Sequence, residues 1–212
     1  MKDQRDNRRD YLAPPLLRST LAADPLEQFQ RWFQEALGAD VADVTAMSLA
    51  TADKDGAASV RIVLLKHFDQ AGFCWYTDYR SRKGRDLAEN PRAACLLYWR
   101  EFERQVRISG NVEKLEGPVS TGYFASRPPD SRYSAAASVQ STSIDSRETL
   151  EQRAAELRRR YPEGDVPRPD AWGGYRLVPG VYEFWQGRIG RLHDRFEYRR
   201  QDGGWVVNRL QP

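Results

Sequence analysis

The chain has little of the chemistry that metal sites and disulfides need. Its 212 residues include only two cysteines and two histidines. Two histidines without clustered cysteines offer few ligands, so we expect no metal site. Cys74 and Cys95 each lie inside an apolar, strand-like run. This pattern indicates buried free thiols, not a disulfide framework, and favours a cytoplasmic protein.

Long apolar runs and a strong charge of one sign are also lacking. No apolar run approaches the length of a membrane span, and the first residues, MKDQRDNRRDYL, have no apolar core of a signal peptide. The net charge is only +3, with basic residues dispersed among acidic ones. These features argue against a membrane protein and against a nucleic-acid-binding module.

Glycine-rich phosphate-binding loops are absent as well. Neither GxGxxG nor GxxxxGK[ST] occurs, and the alternating βαβ rhythm of a parallel sheet is missing. If the protein binds a nucleotide-like cofactor, side chains must therefore hold its phosphate.

What the chain does contain is enough for one substantial core. Hydrophobic residues make up 40% of the sequence and aromatic residues 11%. Residues 1–20 are basic and polar, with Pro14 and Pro15, and we predict a flexible N-terminal arm. No repeat or linker divides the remainder, so residues 21–212 are predicted to form a single domain.

Apolar periodicity and capping residues predict helices. The first has Asp24 at its N-cap, Pro25 at its first position and Gly38 at its end. The last is predicted to be capped by Asp145, with Glu148 at the third position. The predicted helices span about 25–37, 81–90, 117–126, 130–138 and 146–160.

Period-two segments between these helices predict strands. Hairpin signals are the turns ADKDG and QDGG. We predict a mainly β fold with peripheral helices (α+β), built as an antiparallel barrel. The strand segments are TAMSLAT, ASVRIVLLK, GFCWYT, RAACLLYW, RQVRISGNVEKL, YRLV, VYEFW, RLHDRFEYRR and GWVVNRL.

Two segments offer cations for anionic ligands. In RIVLLK, Arg61 and Lys66 fall on opposite faces of a regular strand, which suits two separate anionic groups. In SRKG, Ser81 caps a helix whose first turn carries Arg82 and Lys83, an arrangement that favours an anion. The alternatives are strand ends in water and a basic first turn that arose by chance.

Two further segments offer polar groups. Gln105, in ERQVRISG, has an amide that can donate to and accept from a heterocycle. Tyr123 and Arg127 are four residues apart and would share a helix face. The alternatives are an exposed glutamine and a polar helix–loop–helix surface. Further hydroxyl and amide groups follow at Ser131, Gln140 and Ser141.

The segment WQGRIGRLHDRF carries a row of cations. In an extended strand Arg191, His193 and Arg195 point the same way, with Trp185 shortly before them. Arginine forks suit an anionic planar ligand. The alternative is a charged edge strand that prevents aggregation.

Taken in order, RIVLLK, YT…SRK, ERQV, YFxSRPxxS, the QS pair and FWQG…RLHDRF resemble the pyridoxine/pyridoxamine 5′-phosphate oxidase family over 8–212. The resemblance implies an FMN-binding split β-barrel and a homodimer with FMN at the subunit interface. It also implies oxidation of pyridoxine 5′-phosphate and pyridoxamine 5′-phosphate to pyridoxal 5′-phosphate. Hydride would pass from C4′ to flavin N5, and O2 would reoxidise the flavin and give H2O2.

The resemblance also implies residue roles. The FMN phosphate would be bound by Arg61, Arg82, Lys83 and Ser141. The flavin site would be formed by Ile62, Val63, Leu64, Leu65, Lys66, Tyr76, Thr77, Gln105, Gln140, Trp185 and Arg195. The substrate phosphate would be held by Lys66, Tyr123, Arg127 and Ser131. Catalysis at the pyridine ring would fall to Arg191 and His193, and the closing arm would supply Arg8, Arg9, Asp10 and Tyr11. The APPLL stretch of the arm departs from the glycine-rich pattern of relatives.

Two other functions stay open at this point. A related split-barrel flavin oxidase of phenazine biosynthesis would not need the substrate-phosphate residues, all of which are present here. A carrier that only binds FMN or pyridoxal phosphate would not need the pair Arg191 and His193. Turnover separates the carrier from the enzyme.

Overall fold

The computed structural model describes residues 3, 5, 10–39 and 41–212. Within them, five α-helices and nine β-strands are formed. The helices are α1 (Pro25–Gly38), α2 (Arg82–Glu89), α3 (Gly117–Ser126), α4 (Pro129–Ala137) and α5 (Arg147–Arg160). The strands are β1 (Ala46–Ala52), β2 (Ala58–Leu64), β3 (His67–Asp69), β4 (Gly72–Asp78), β5 (Arg92–Trp99), β6 (Arg104–Lys114), β7 (Trp172–Gln186), β8 (Asp194–Gln201) and β9 (Gly204–Leu210).

The strands follow the order β2-β1-β5-β6-β7-β4-β3, with β8 paired to β7 and β9 paired to β8. The pairs β3–β4, β4–β7, β7–β8 and β8–β9 are antiparallel. The predicted mainly β class with helices is thereby confirmed.

The chain divides into two compact units. The first comprises the described residues up to Leu49, together with Ala94–Gly110 and Pro179–Pro212. The second comprises Ala50–Ala93 and Asn111–Val178. The prediction that residues 21–212 form a single domain stays a prediction.

The first unit is built around the apolar face of α1. Phe29 lies 6.1 Å from Trp99 between ring centroids, and Trp32 meets Phe184 edge-on at 5.3 Å. All four side chains are at most 3% exposed. Aromatic pairs in this geometry add to the free energy of burying their surface.

The second unit has its own core beneath α3 and α4. Phe124, Tyr133, Val166 and Trp172 form one buried cluster. Trp172 is the first residue of β7, so this core lies directly at the end of a strand.

Helix capping agrees with the sequence at two helices and differs at a third. The Asp24 carboxylate accepts from the Leu26 amide at 2.7 Å, which confirms the cap of α1. The Ser81 hydroxyl accepts from the Gly84 amide at 3.3 Å, which confirms the cap of α2. The predicted Asp145 cap of α5 is wrong, because the Ser146 hydroxyl accepts from the amide three residues later at 3.2 Å.

Strand β7 is one strand where two were predicted. Its residues 172–177 pair with β4, and its residues 181–186 pair with β8. Pro179 and Gly180 fall between the two paired stretches, so the proline removes no hydrogen bond of either register.

Strand β8 begins later than predicted. Ile189–Arg191 form a 3₁₀ turn in which Gly190 and Arg191 have φ of 65° and 62°. The strand starts only at Asp194. The prediction that Arg191, His193 and Arg195 alternate on one strand face is therefore wrong.

The described part of the N-terminal segment is attached to the first unit. The Leu16 amide donates to the Asp194 carboxylate at 3.1 Å, and the Leu16 side chain is buried. Arg18 donates to the Val207 carbonyl at 2.7 Å. Arg8 and Arg9 lie outside the described residues, and the flexibility of residues 1–20 stays a prediction.

Both cysteines are free and buried, as predicted. Burial raises the pKa of Cys95 to about 12 and also raises the pKa of Cys74. Both thiols are therefore protonated at neutral pH. Among the described residues, none of the helices is long and apolar enough to cross a membrane.

Candidate functional site

A cavity of about 420 Å³ opens in the second unit, and we call it the cationic pocket. It brings together eleven of the residues singled out from the sequence, together with Pro128 and Trp172. Those eleven are Ile62, Val63, Leu64, Lys66, Tyr76, Thr77, Lys83, Tyr123, Arg127, Ser131 and Gln140.

Lys83 is the buried cation of this pocket, with 6% of its surface exposed. Its ammonium donates to the Gln140 amide oxygen at 2.6 Å, to the Thr77 hydroxyl at 3.1 Å and to the Ser81 hydroxyl at 3.3 Å. These partners are neutral. Burial, together with the Arg61 charge, lowers the pKa of Lys83 to about 8, and the Asp78 charge opposes this shift.

Arg127 is the second cation of the pocket. Its guanidinium lies 4.7 Å from the centre of the Trp172 ring, where a cation is attracted by the ring face. Its NH1 atom is buried and has no hydrogen-bond partner among the described residues. Burial lowers the pKa of Arg127, although Tyr123 opposes this. A buried donor without a partner is costly, which points to an acceptor supplied from outside the chain.

Three parallel aromatic rings form one wall beside these cations. Tyr76 and Tyr123 stack at 3.8 Å between centroids with planes 15° apart. Tyr123 and Trp172 are also parallel, at 6.2 Å. Trp172 was not predicted as a site residue; its only signal in the sequence is an aromatic residue where the proline-rich loop leads into a strand.

The predicted alternation along β2 is confirmed. Arg61 and Val63 are half-buried, whereas Ile62 and Leu64 are exposed. Lys66 lies two residues beyond the strand, is exposed and lines the cationic pocket.

Arg61 and Arg82 are not among the lining residues of the pocket, and both are held by Asp86. Arg82 pairs with the Asp86 carboxylate at 2.7 Å and with Asp53 at 3.0 Å. Arg61 donates to the Thr51 hydroxyl at 2.8 Å and lies 3.8 Å from Asp86. Thr51 in turn donates to Asp86 at 2.7 Å. The sequence did not indicate this buried carboxylate.

Two more of the predicted flavin-site residues do not line the pocket. Leu65 is buried, with 3% exposed, immediately after β2. Ser141 is exposed and has a φ of 67°, directly after the pocket residue Gln140.

A second cluster lies in the first unit, and we call it the ring cluster: Tyr11, Trp185 and His193. The imidazole and the indole are 4.6 Å apart between centroids. Tyr11 meets both edge-on, at 5.6 Å from Trp185 and 5.3 Å from His193. A Cβ on Gly187 would lie 2.5 Å from the Tyr11 ring, so only glycine allows this approach.

His193 has a defined tautomer in this cluster. Its Nδ1 accepts a hydrogen bond from the Arg188 backbone amide at 3.1 Å. Burial, Arg191 and Arg195 all lower the pKa of His193 from 6.5. The imidazole is therefore neutral at neutral pH and carries its proton on Nε2, where it can donate.

Arg195 lies opposite Trp185 in the β7–β8 register. Its guanidinium donates to the Glu183 carboxylate at 2.8 Å, and Arg107 donates to the other Glu183 oxygen at 2.9 Å. Glu183 is 7% exposed, so it fixes Arg195 in place.

The remaining predicted residues of the first unit are less constrained. Arg191 is exposed in the 3₁₀ turn, and Asp10 is exposed near the chain start. Gln105 is half-buried in β6.

The two clusters differ in chemistry. The cationic pocket suits an anionic group attached to a planar ring, because it joins a buried ammonium, a guanidinium and stacked aromatics. The ring cluster offers an aromatic face and a neutral imidazole donor. In the part of the chain that the structure describes, no three His, Cys, Asp or Glu side chains are grouped to hold a metal.

Two family models match the chain. Residues 33–161 match the model described as pyridoxamine 5′-phosphate oxidase. Residues 172–212 match the model described as the pyridoxine 5′-phosphate oxidase C-terminal dimerisation region.

Relatives match along almost the whole length. A pyridoxine/pyridoxamine 5′-phosphate oxidase of Cupriavidus taiwanensis is 54% identical over 208 residues, which cover 98% of each chain. One of Trichormus variabilis is 50% identical over 208 residues, covering 98% of this chain and 97% of the relative.

Solved structures resemble the fold. PhzG from Burkholderia lata, in complex with tetrahydrophenazine-1-carboxylic acid, has a TM-score of 0.88 and 36% identity over 94% of this chain and 99% of its own. A pyridoxamine 5′-phosphate oxidase-related, FMN binding protein of Nostoc punctiforme has a TM-score of 0.67 and 17% identity, covering 91% of this chain and 99% of its own. The predicted split barrel is thereby confirmed.

Proposed function

Because the chain belongs to the pyridoxamine 5′-phosphate oxidase family, we propose that it is an FMN-dependent oxidase that makes pyridoxal 5′-phosphate from pyridoxine 5′-phosphate and pyridoxamine 5′-phosphate. The observation that carries this proposal is the buried NH1 of Arg127, which has no partner among the described residues. A substrate phosphate supplies the acceptor that this guanidinium lacks.

The substrate phosphate is assigned to one side of the cationic pocket. Arg127 contributes a rigid donor fork, and Lys66 contributes a mobile positive charge. The hydroxyls of Tyr123 and Ser131 line the same pocket and can donate to phosphate oxygens. Charge-assisted hydrogen bonds of this kind each contribute about 1.5–3 kcal/mol.

The residues present also fit the phosphate of FMN. Lys83 is a buried ammonium among neutral partners. The negative charge of a phosphate would therefore offset the free-energy cost of its desolvation. Lys83 lies in the first turn of α2, where free backbone amides favour negative charge. We assign the FMN phosphate to Lys83, Arg61 and Arg82, with Ser141 nearby in sequence.

FMN, when bound, supplies the acceptor for hydride from the substrate C4′ at its N5, and O2 takes the electrons to give H2O2. The chain supplies orientation. We assign Gln105, Trp185 and Arg195 to the flavin ring, and Arg191 to the substrate ring. His193, neutral and protonated on Nε2, donates a hydrogen bond to the pyridine substrate and does not act as a base from that atom.

We propose that the active form is a homodimer with FMN at the subunit interface. The match of residues 172–212 to a dimerisation region supports the dimer. The two free, buried thiols suit a reducing compartment, so we place the enzyme in the cytoplasm.

A phenazine-pathway oxidase is the second candidate, since PhzG is 36% identical over 94% of this chain. The ligand in that structure is a carboxylic acid and not a phosphate ester. The cations Lys66 and Arg127, together with the hydroxyls of Tyr123 and Ser131 in the same pocket, favour a phosphorylated substrate here.

The test is the visible spectrum of the FMN-loaded protein mixed with pyridoxine 5′-phosphate without oxygen. We expect the flavin band to bleach and to return when O2 is admitted, with pyridoxal 5′-phosphate and H2O2 as products. A flavin that binds yet stays oxidised with both phosphorylated substrates would overturn the proposal. Bleaching by tetrahydrophenazine-1-carboxylic acid alone would support the second candidate.

Arg127→Ala tests the substrate-phosphate assignment. Losing one or two charge-assisted hydrogen bonds should raise KM for pyridoxine 5′-phosphate by roughly 10- to 100-fold, with a smaller change in kcat. Arg127→Lys, which keeps the charge but not the fork, should recover part of this loss. An unchanged KM in steady-state kinetics of Arg127→Ala would contradict the assignment.

A further inference from the structure

An acid–arginine pair, Asp78 and Arg80, follows the pocket residue Thr77 at the end of β4. Asp78 is the last residue of that strand and is 5% exposed. Its Oδ1 accepts from the Arg80 amide at 2.7 Å and from Arg80 Nε at 3.0 Å. Its Oδ2 accepts from Arg80 NH2 at 2.7 Å. Neither residue was singled out from the sequence.

The pair also holds a distant loop at two backbone points. Asp78 Oδ2 accepts from the Gln140 amide at 3.3 Å, and Arg80 NH2 donates to the Ser138 carbonyl at 3.1 Å. This loop follows α4 and includes Ser141, whose φ is 67°. The Asp78–Arg80 pair therefore fixes the backbone of Gln140 in the loop after α4.

The side chain of Gln140 returns from this loop to the buried lysine. Its amide oxygen accepts from the Lys83 ammonium at 2.6 Å and from the Thr77 hydroxyl at 2.9 Å. Gln140 itself is exposed. Without its backbone anchor, a long exposed amide side chain regains rotamer freedom and gives up this geometry.

We propose that Asp78 and Arg80 are positioning residues for FMN binding: they hold Gln140 so that its amide oxygen fixes the Lys83 ammonium towards the cofactor phosphate. This rests on the proposed function, because it takes FMN as the ligand of Lys83. The pair acts through Gln140 and does not itself contact the phosphate.

The geometry distinguishes this pair from an ordinary surface ion pair. An exposed pair contributes little to stability, but here the carboxylate is buried and receives four hydrogen bonds. Burial raises the pKa of Asp78, yet the hydrogen bonds from Arg80 and Gln140 outweigh it, so the pKa is lowered overall. Asp78 is therefore ionised at neutral pH.

The charge of Asp78 has a second effect on Lys83. The charged groups that act on this ammonium are Arg61 on β2, which lowers its pKa, and Asp78 on β4, which raises it. The other contacts, Thr77, Ser81 and Gln140, are neutral. Removing the Asp78 charge should move the Lys83 titration to lower pH.

The experiment is a double-mutant cycle on FMN affinity. FMN is titrated into flavin-free protein, and the quenching of FMN fluorescence on binding gives the affinity. The variants are Asp78→Ala, Gln140→Ala and the double variant. We expect each single variant to weaken FMN binding on the order of tenfold. Measured at pH 6.5, where Lys83 stays protonated in every variant, the double variant should bind no more weakly than Gln140→Ala, because Asp78 then acts through Gln140. Losses that multiply in the double variant would overturn the proposal.

The pH dependence of FMN affinity distinguishes a positioning role from a purely structural one, which would leave this dependence unchanged. The pH at which FMN affinity falls should be lower in Asp78→Ala than in the wild type. Asp78→Asn, which keeps an acceptor for the Gln140 amide without the charge, should retain most of the affinity and still show the shifted profile. An unshifted profile in both variants would contradict the role of Asp78.

Matched controls separate these effects from misfolding. Glu113→Ala breaks an acid–arginine pair with Arg176, between β6 and β7 of the same unit, whose carboxylate is exposed, and should leave FMN affinity unchanged. If Asp78→Ala does not fold, Arg80→Ala breaks the same ion pair at its exposed member. This variant should also weaken FMN binding. Wild-type protein that fails to bind FMN would refute the proposed function, whereas Arg80→Ala with wild-type affinity would refute only this inference.

Discussion

At the residue scale, the informative feature is a buried ammonium surrounded by neutral oxygen atoms. Lys83 has two hydroxyls and one amide as partners, and no carboxylate lies within ion-pair distance of it among the residues described. Desolvation therefore penalises its charged form, and the pKa falls to about 8. A phosphate would reverse this penalty, because it restores an opposite charge at the site.

This pKa predicts a pH dependence of cofactor binding. Below about 8 the free protein holds Lys83 protonated, and above it the proton is lost. A flavin phosphate with a second pKa of about 6 stays dianionic throughout this range. The affinity for FMN should therefore fall as the pH rises from 7 to 9.5, whereas the affinity for riboflavin should stay nearly constant.

Fluorescence titrations at several pH values would measure both affinities. In Lys83→Met the FMN curve should become flat and lie near the high-pH limit of the wild type. Parallel pH curves for FMN and riboflavin in the wild type would be incompatible with Lys83 as the phosphate ligand.

At the scale of elements, the connection between β7 and β8 decides how the ring cluster is assembled. Gly187 follows the last residue of β7, and its amide donates to the Glu103 carbonyl at 2.8 Å. The Ala13 amide donates to the Glu103 carboxylate at 3.0 Å. One residue thus anchors both the connection and the N-terminal segment that carries Tyr11.

Gly187→Ala should displace Tyr11 from the ring cluster. The new Cβ would lie 2.5 Å from Cδ1 of Tyr11 and 3.1 Å from the Cβ of Glu103, so one of them must move. If Tyr11 closes over the substrate, KM for pyridoxine 5′-phosphate should rise on the order of tenfold, equivalent to about 1.4 kcal/mol.

Steady-state kinetics would show this change. Gly38→Ala is the matched control, because a Cβ there meets nothing within 4 Å. A Gly187→Ala enzyme with normal KM would argue against a substrate-covering role for Tyr11.

At the scale of the whole molecule, the edge strand β2 exposes a row of apolar side chains. Val60, Ile62 and Leu64 are 70%, 62% and 43% exposed. Contiguous exposed apolar side chains are typical of surfaces that become covered on association. In the proposed homodimer, the partner subunit would cover this row.

Sedimentation should therefore give a mass of about twice 24.4 kDa for the wild type. Val60→Asp should shift the protein towards monomer, and because Val60 is exposed, the monomer should remain folded. Val119→Asp, at an exposed apolar residue of α3, should stay dimeric. A monomeric wild type would refute the dimer, and a dimeric Val60→Asp would exclude this row from the interface.

Local sequence signals predicted most elements, because capping and side-chain periodicity depend on neighbours in the chain. Asp24 and Ser81 cap their helices as expected, and the alternation along β2 is as predicted. Predictions from the sequence were wrong where the same residues favour two different local structures. Asp145 and Ser146 are both good caps, and the extended segment before Asp194 contains a glycine that allows a 3₁₀ turn.

The sequence by itself determined which cations and aromatics this chain carries, their order along it and the family they resemble. Only the tertiary structure decided which partner each one meets. Lys83 meets Gln140, 57 residues away, and both Arg61 and Arg82 meet Asp86. Trp172 joins the pocket wall from a distant strand. Periodicity reports only the face of an element, whereas these contacts depend on pairing between segments far apart in the chain.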